Sequence, residues 1–208
     1  MLTIVLIQSV GGKYTPELKG TSVEMPYEGE YTQEMYAQHM IDEYIEMGVD
    51  PKDVWPQSFN VDDVKYWVDN TDFGEQAVFL DNNYDLSEDY TLYLADAANS
   101  GINIVAPPMF MLVKHDESAD FGMAESDYAA YAKSVGLDII TWTLERTGPS
   151  PSGVQGWYWQ TTADLDRTEG SKYELLYVLA YDVGILGIFS DWPAPVTFFA
   201  NCMDLMLR

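Results

Sequence analysis

Apolar residues along the chain alternate between two periods. The first is helical: across 32–47, Met35, Tyr36, Met40, Ile41 and Tyr44 recur near one face, and Glu34, Asp42, Glu43 and Glu46 lie largely elsewhere. The same period predicts a helix over 61–69, with Val61, Val64 and Val68 inward and Asn60 or Asp62 available as its cap. Further helices are expected over 87–98 (Tyr90, Leu94 and Ala97 inward, Ser87 as N-cap), 125–134 and 172–181. A last one over 194–207 is opened by Pro193 and Pro195 and turns Phe198, Phe199, Cys202 and Leu205 toward a core. Between the helices lie short runs at 14–18, 54–59, 77–80, 102–106, 138–143 and 186–190. Most are continuously apolar, as strands of a parallel sheet covered on both faces are.

A recurring junction orders these elements. Gly11, Gly48, Gly101, Gly136 and Gly184 each follow a helical stretch and precede a strand-like one. Glycine just past a helix end supplies the left-handed residue that stops it. Helices feeding repeatedly into strands give an α/β fold, and each strand ends in polar or unusual residues: Glu17 and Lys19, Gln57, Asp81, Pro107-Pro108, Trp142 and Glu145, Asp191. In a (β/α)8 barrel of the TIM type that edge carries the ligands. Such a barrel has eight βα units and six are legible, so the expectation is an incomplete barrel, one domain over 1–208. Residues 1–10 are already helical in pattern, so the chain reads as opening inside the second helix of the barrel.

Charge narrows the partners. Ten Lys+Arg against 34 Asp+Glu leave a formal charge of −24, which argues against nucleic acid and against adsorption to an anionic membrane. Such acidity also suits a salty medium or a divalent-cation site, although most of these acids must be solvated surface. No stretch is long enough to span a bilayer. The single cysteine, Cys202, excludes an internal disulfide and leaves the redox compartment undecided.

Candidate chemistry concentrates in the segment KYTPELKG at 13–20. Glu17 and Lys19 are two apart, so on an extended chain both side chains leave one face. An acceptor-only carboxylate beside a three-donor ammonium suits a divalent cation and an anionic oxygen. An exposed Glu–Lys pair by itself is worth little. Gln57 could bind substrate or satisfy backbone, and Trp142 fits a core as well as a substrate platform. Asp81 reads first as loop chemistry, and Asp191 as a helix cap or a brace at the rim.

Together the strand ends resemble the glycerophosphodiester phosphodiesterase family. The segments are TPELKG at 15–20, WPQSF at 55–59, APP at 106–108, ITWTLE at 140–145 and GIFSDWP at 187–193. The resemblance implies a (β/α)8 barrel that hydrolyses glycerophosphodiesters to glycerol 3-phosphate and an alcohol, assisted by Ca2+ or Mg2+. It implies Glu17 as a metal ligand, Lys19 as the catalytic contact to phosphate, and Trp142 as an aromatic against the glycerol moiety. The family's His-Arg-Gly motif, its two further acids and its second catalytic histidine have no counterpart here. The match therefore covers the C-terminal three-quarters of the barrel and implies little activity. His39, within a helix, and His115, in an acidic loop, occupy no family position and read as packing or surface residues. Family members are often periplasmic or secreted, and a signal peptide would belong to the absent front, so the compartment stays unknown.

The stretch 148–162 is long for a βα connection, and its Trp157, Tyr158 and Trp159 suit either a lid or a packed rim. Two rival readings stay open. One is a glycosidase-like barrel with Glu17 and Glu145 as a carboxylate pair. The other is a non-catalytic, truncated barrel that self-associates through its open edges.

Overall fold

A computed structural model describes residues 2–85, 89–144, 156–165 and 168–205. The expected roles of Ser87, Glu145, the 148–155 stretch and the helix end at Leu207 lie outside the described residues. The chain forms two compact units, Met1–Asp81 with Leu92–Val105, and Asn82–Thr91 with Ala106–Arg208.

The first unit contains α1 (Leu2–Ser9), β1 (Glu17–Leu18), α2 (Gln33–Glu46), β2 (Gln57–Ser58), α3 (Val61–Asn70), β3 (Val78–Leu80), most of α4 (Tyr90–Asn99) and most of β4 (Ile104–Ala106). Its strands adjoin in the order β1-β2-β3-β4. The pairs β1–β2 and β2–β3 are parallel, with Glu17 opposite Gln57 and Gln57 opposite Val78. The strands at 14–18 and 54–59 are shorter than the apolar pattern predicts, because Pro16 and Pro56 have no N–H to give a ladder. Pairing continues outside the strands through a parallel bridge between Tyr14 and Val54. Both proline carbonyls remain in use, Pro16 accepting from the Gln57 N–H at 2.9 Å and Pro56 from that of Val78 at 2.8 Å.

The core of this unit lies between sheet and helices: Tyr14, Leu18 and Val54 pack with Ile41 and Tyr44 of α2 and Val64 and Trp67 of α3. The α2 face is the expected one shifted slightly, since Ala37 is buried and Met35 is 51% exposed. Asn60 caps α3, its side chain accepting from the Asp62 N–H. Thr32 caps α2 in the same way through the Met35 N–H.

The second unit contains an antiparallel pair, β5 (Val113–His115) and β6 (Met123–Glu125), then α5 (Asp127–Ser134), β7 (Asp138–Thr141), α6 (Ser171–Tyr177), β8 (Gly187–Ile188) and α7 (Pro193–Cys202). β7 pairs with β8 in parallel, and Ala106, the last residue of β4, lies beside the end of β7 here. The hairpin was not legible in the sequence. It moves His115 from the expected loop into a strand and takes Glu125 out of the expected helix, which Ser126 caps instead. After α6 the chain widens into a π-helical turn, Val178–Val183. α7 begins at Pro193 as expected, but Phe198 is 60% exposed and Cys202 is exposed, while Phe199 is buried. Adjacent residues on a helix point about 100° apart, and here Phe199 faces the core while Phe198 faces away from it. Its N-cap position is Trp192, with no side-chain cap.

All five junction glycines take positive φ, from 64° at Gly48 to 89° at Gly136. The α/β class of incomplete (β/α)-barrel type, expected from the sequence, is the class found. No helix among the described residues is long and apolar enough to cross a membrane.

Candidate functional site

In the first unit, Glu17, Lys19 and Gln57 come together at the C-terminal ends of β1 and β2. Glu17 and Lys19 leave the same face, and the ammonium sits 2.8 Å from the Glu17 carboxylate. The Lys19 side chain is 75% exposed and that of Glu17 23%. The Lys19 carbonyl accepts from the Tyr36 hydroxyl at 3.3 Å, tying the strand exit to α2. Gln57 stands opposite Glu17 in register but is buried, and its amide nitrogen donates to the Thr15 carbonyl at 3.3 Å. One end of Gln57 therefore satisfies backbone, as strand-end glutamines often do.

Behind this edge lies a buried carboxylate that the sequence reading missed. Asp63, on the first turn of α3, accepts from the Ser58 hydroxyl at 2.8 Å, the Gln33 amide at 2.7 Å and the Asn60 amide at 3.3 Å. Burial raises its pKa above the ordinary carboxylate value, and the hydrogen bonds from Gln33 and Ser58 oppose the rise. The available signal was the polar run Ser58, Asn60, Asp63 directly after an apolar strand. Asp81, at the end of β3, is likewise buried and accepts from the Tyr93 hydroxyl at 2.7 Å.

In the second unit the aromatic residues form a cluster. The indoles of Trp142 and Trp157 stack with centroids 6.0 Å apart and 30° between planes. Tyr84 and Tyr158 stand edge-on to both, and Phe110 meets Trp157 edge-on at 4.7 Å. Trp142 is anchored, since its indole N–H donates to the Ala106 carbonyl at 2.8 Å. Trp157 is 41% exposed, whereas Trp159, in the same 3-10 turn, is buried. Tyr84 was not singled out from the sequence, because nothing in its polar loop marks it as a partner of Trp142.

His39 meets the Tyr31 hydroxyl at 3.2 Å, and His115 faces Asp164 at 3.7 Å in the second unit. The donor set can be tested against a hard divalent cation, which takes six or more oxygen ligands. Among the described residues no group of three or more His, Cys, Asp or Glu side chains is placed to hold a metal, and the Glu17 carboxylate is already engaged by Lys19. These residues do not by themselves fit a resident Ca2+ or Mg2+.

Solved structures share the fold at low sequence identity. A glycerophosphoryl diester phosphodiesterase of Silicibacter pomeroyi superposes with a TM-score of 0.56 at 15% identity, over 90% of this chain and 50% of that one. One from Agrobacterium tumefaciens gives 0.55 at 16% identity, over 92% and 59%. A glycerophosphodiester phosphodiesterase of Parabacteroides distasonis gives 0.52 at 15%, over 91% and 58%. The chain thus spans 50–59% of the length of these structures. No family model matches the sequence. A fungal protein of Arthroderma benhamiae, described as an extracellular protein, is 41% identical over 206 residues, 96% of this chain and 83% of the relative. The chain belongs to the same family as that Arthroderma extracellular protein.

Proposed function

We propose that this chain is a glycerophosphodiester phosphodiesterase-like protein that engages a phosphodiester through Lys19 at the end of β1. The observation that carries this reading is the ammonium of Lys19, exposed at a strand's C-terminal end beside Glu17, on a fold shared with glycerophosphodiester phosphodiesterases. An ammonium there stabilises charge on a phosphoryl oxygen. Gln57 lends its remaining carbonyl end to the same edge. Without the family's His-Arg-Gly motif in its sequence, this chain supplies binding and charge stabilisation without the family's acid–base pair, and turnover is slow. The description of the fungal relative supports an extracellular location.

The test is release of glycerol 3-phosphate from glycerophosphocholine, with and without Ca2+ or Mg2+, by this chain and by Lys19→Ala. Slow release that disappears in Lys19→Ala is the expected result. Release unaffected by Lys19→Ala would refute the role of Lys19. No release at all would leave the second reading, a non-catalytic protein of this fold, which the lack of the family's His-Arg-Gly motif in the sequence favours.

A further inference from the structure

Positive charge is scarce in this chain, and the described lysines are mostly spoken for. Lys13, Lys65, Lys114, Lys133 and Lys172 each lie within 3.2 Å of a carboxylate, on Asp53, Asp96, Asp127, Glu125 and Glu169 respectively. Lys19 follows this rule and, like Lys133 with Glu125, it has a largely covered carboxylate as its partner. Glu17 is its own strand neighbour, two residues back, and its side chain is three-quarters covered, whereas Lys19 is three-quarters exposed. The carboxylate is therefore held by the fold while the ammonium is free to swing. We infer that Glu17 is the internal counter-ion of Lys19, occupying the place an anionic ligand would take, and not a metal ligand. An incoming phosphate oxygen must displace Glu17 from Lys19, so Glu17 sets the threshold for anion binding and rejects weakly charged competitors.

The inference rests on the phosphodiester reading of Lys19, and it makes a prediction of opposite sign to a metal-ligand role. If Glu17 held a cation that helps bind phosphate, its neutralisation would weaken anion binding. If it competes with the anion, neutralisation strengthens binding. Two unit charges about 4 Å apart interact by about 1 kcal/mol in water, so the gain is roughly five-fold in affinity.

The experiment is a titration of glycerol 3-phosphate into the full chain, followed by amide chemical shifts, for the unaltered protein, Glu17→Gln and Lys19→Gln, each with and without Mg2+. Glu17→Gln is nearly isosteric and Lys19 is exposed, so thermal unfolding of all three proteins serves as the fold control. The expected result is tighter binding in Glu17→Gln, lost binding in Lys19→Gln, and no effect of Mg2+ that depends on Glu17. Weaker or unchanged binding in Glu17→Gln overturns the inference while leaving Lys19 as the anion contact. Tightening by Mg2+ that vanishes in Glu17→Gln overturns it as well. Unchanged binding in Lys19→Gln overturns the phosphodiester reading itself.

Discussion

Ser58 donates its hydroxyl to the buried carboxylate of Asp63 at 2.8 Å, joining the last residue of β2 to the first turn of α3. With Gln33 on the other side, the same carboxylate also holds the start of α2. One acid thereby fixes the two loops that leave the strands carrying Lys19 and Gln57.

Asp63 carries a pH dependence whose sign is set by its raised pKa. A carboxylate whose folded pKa exceeds its unfolded value destabilises the fold when ionised. That cost is present at neutral pH and disappears as the pH falls through the raised value toward the ordinary 3.8. Asp63→Asn removes the charge at every pH. The difference in Tm, variant minus unaltered protein, should therefore be more positive at pH 7 than at pH 4. A difference that stays constant across this range would show that Asp63 binds its proton no more readily in the folded state. Asp63→Ala, by contrast, leaves the buried Ser58 hydroxyl and the half-buried Gln33 amide without their acceptor and should cost about 1–3 kcal/mol in chemical denaturation.

Trp67 joins α2 and α3 in the first unit. It is fully buried, and its indole N–H donates to the Ala37 carbonyl of α2 at 3.0 Å. Trp67→Ala should cost about 3–5 kcal/mol, the range for emptying a large buried site. Trp67→Phe keeps most of the apolar volume and should cost less. Urea unfolding of the two variants compares them directly; equal losses would mean that the hydrogen bond, not the volume, dominates.

Gly136 has φ of 89°, and nothing lies within 4 Å of where a Cβ would stand. Any loss on Gly136→Ala is then conformational and not steric. About 1–2 kcal/mol is expected, from the cost of a left-handed residue with a Cβ. Gly136→Asn, a residue that tolerates this region, should recover part of it, and denaturation midpoints of the two variants decide.

These glycines also show what the sequence could reveal. A left-handed stop is a local requirement, so Gly11, Gly48, Gly101, Gly136 and Gly184 announce it without reference to the rest of the chain. The Glu17–Lys19 pairing was legible for the same reason, since two residues on one strand share a face whatever surrounds them. The β5–β6 hairpin was hidden because its strands are three residues each, too short for a period of two to stand out. Asp63 was hidden because its partners come from 5 and 30 positions away, and burial of a carboxylate follows from those partners alone. Phe198 was misplaced because an apolar residue on a helix does not say which face its neighbours cover.

Trp142 is held by a hydrogen bond to Ala106 as well as by ring contacts. Trp142→Phe should lose about 1 kcal/mol through the unpaired carbonyl and the weaker stacking. If thermal unfolding finds no loss, the Ala106 carbonyl has found another donor.

The stacked indoles of Trp142 and Trp157 have an optical consequence. At 6.0 Å and 30°, their transition dipoles couple, so the near-ultraviolet circular dichroism should carry a signature belonging to the pair and not to either ring. Tyr84 and Tyr158 lie close enough to pass excitation to them. The chain thus contains a native spectroscopic ruler between the end of β7 and the 3-10 turn at 157–159, which would register any change in their separation.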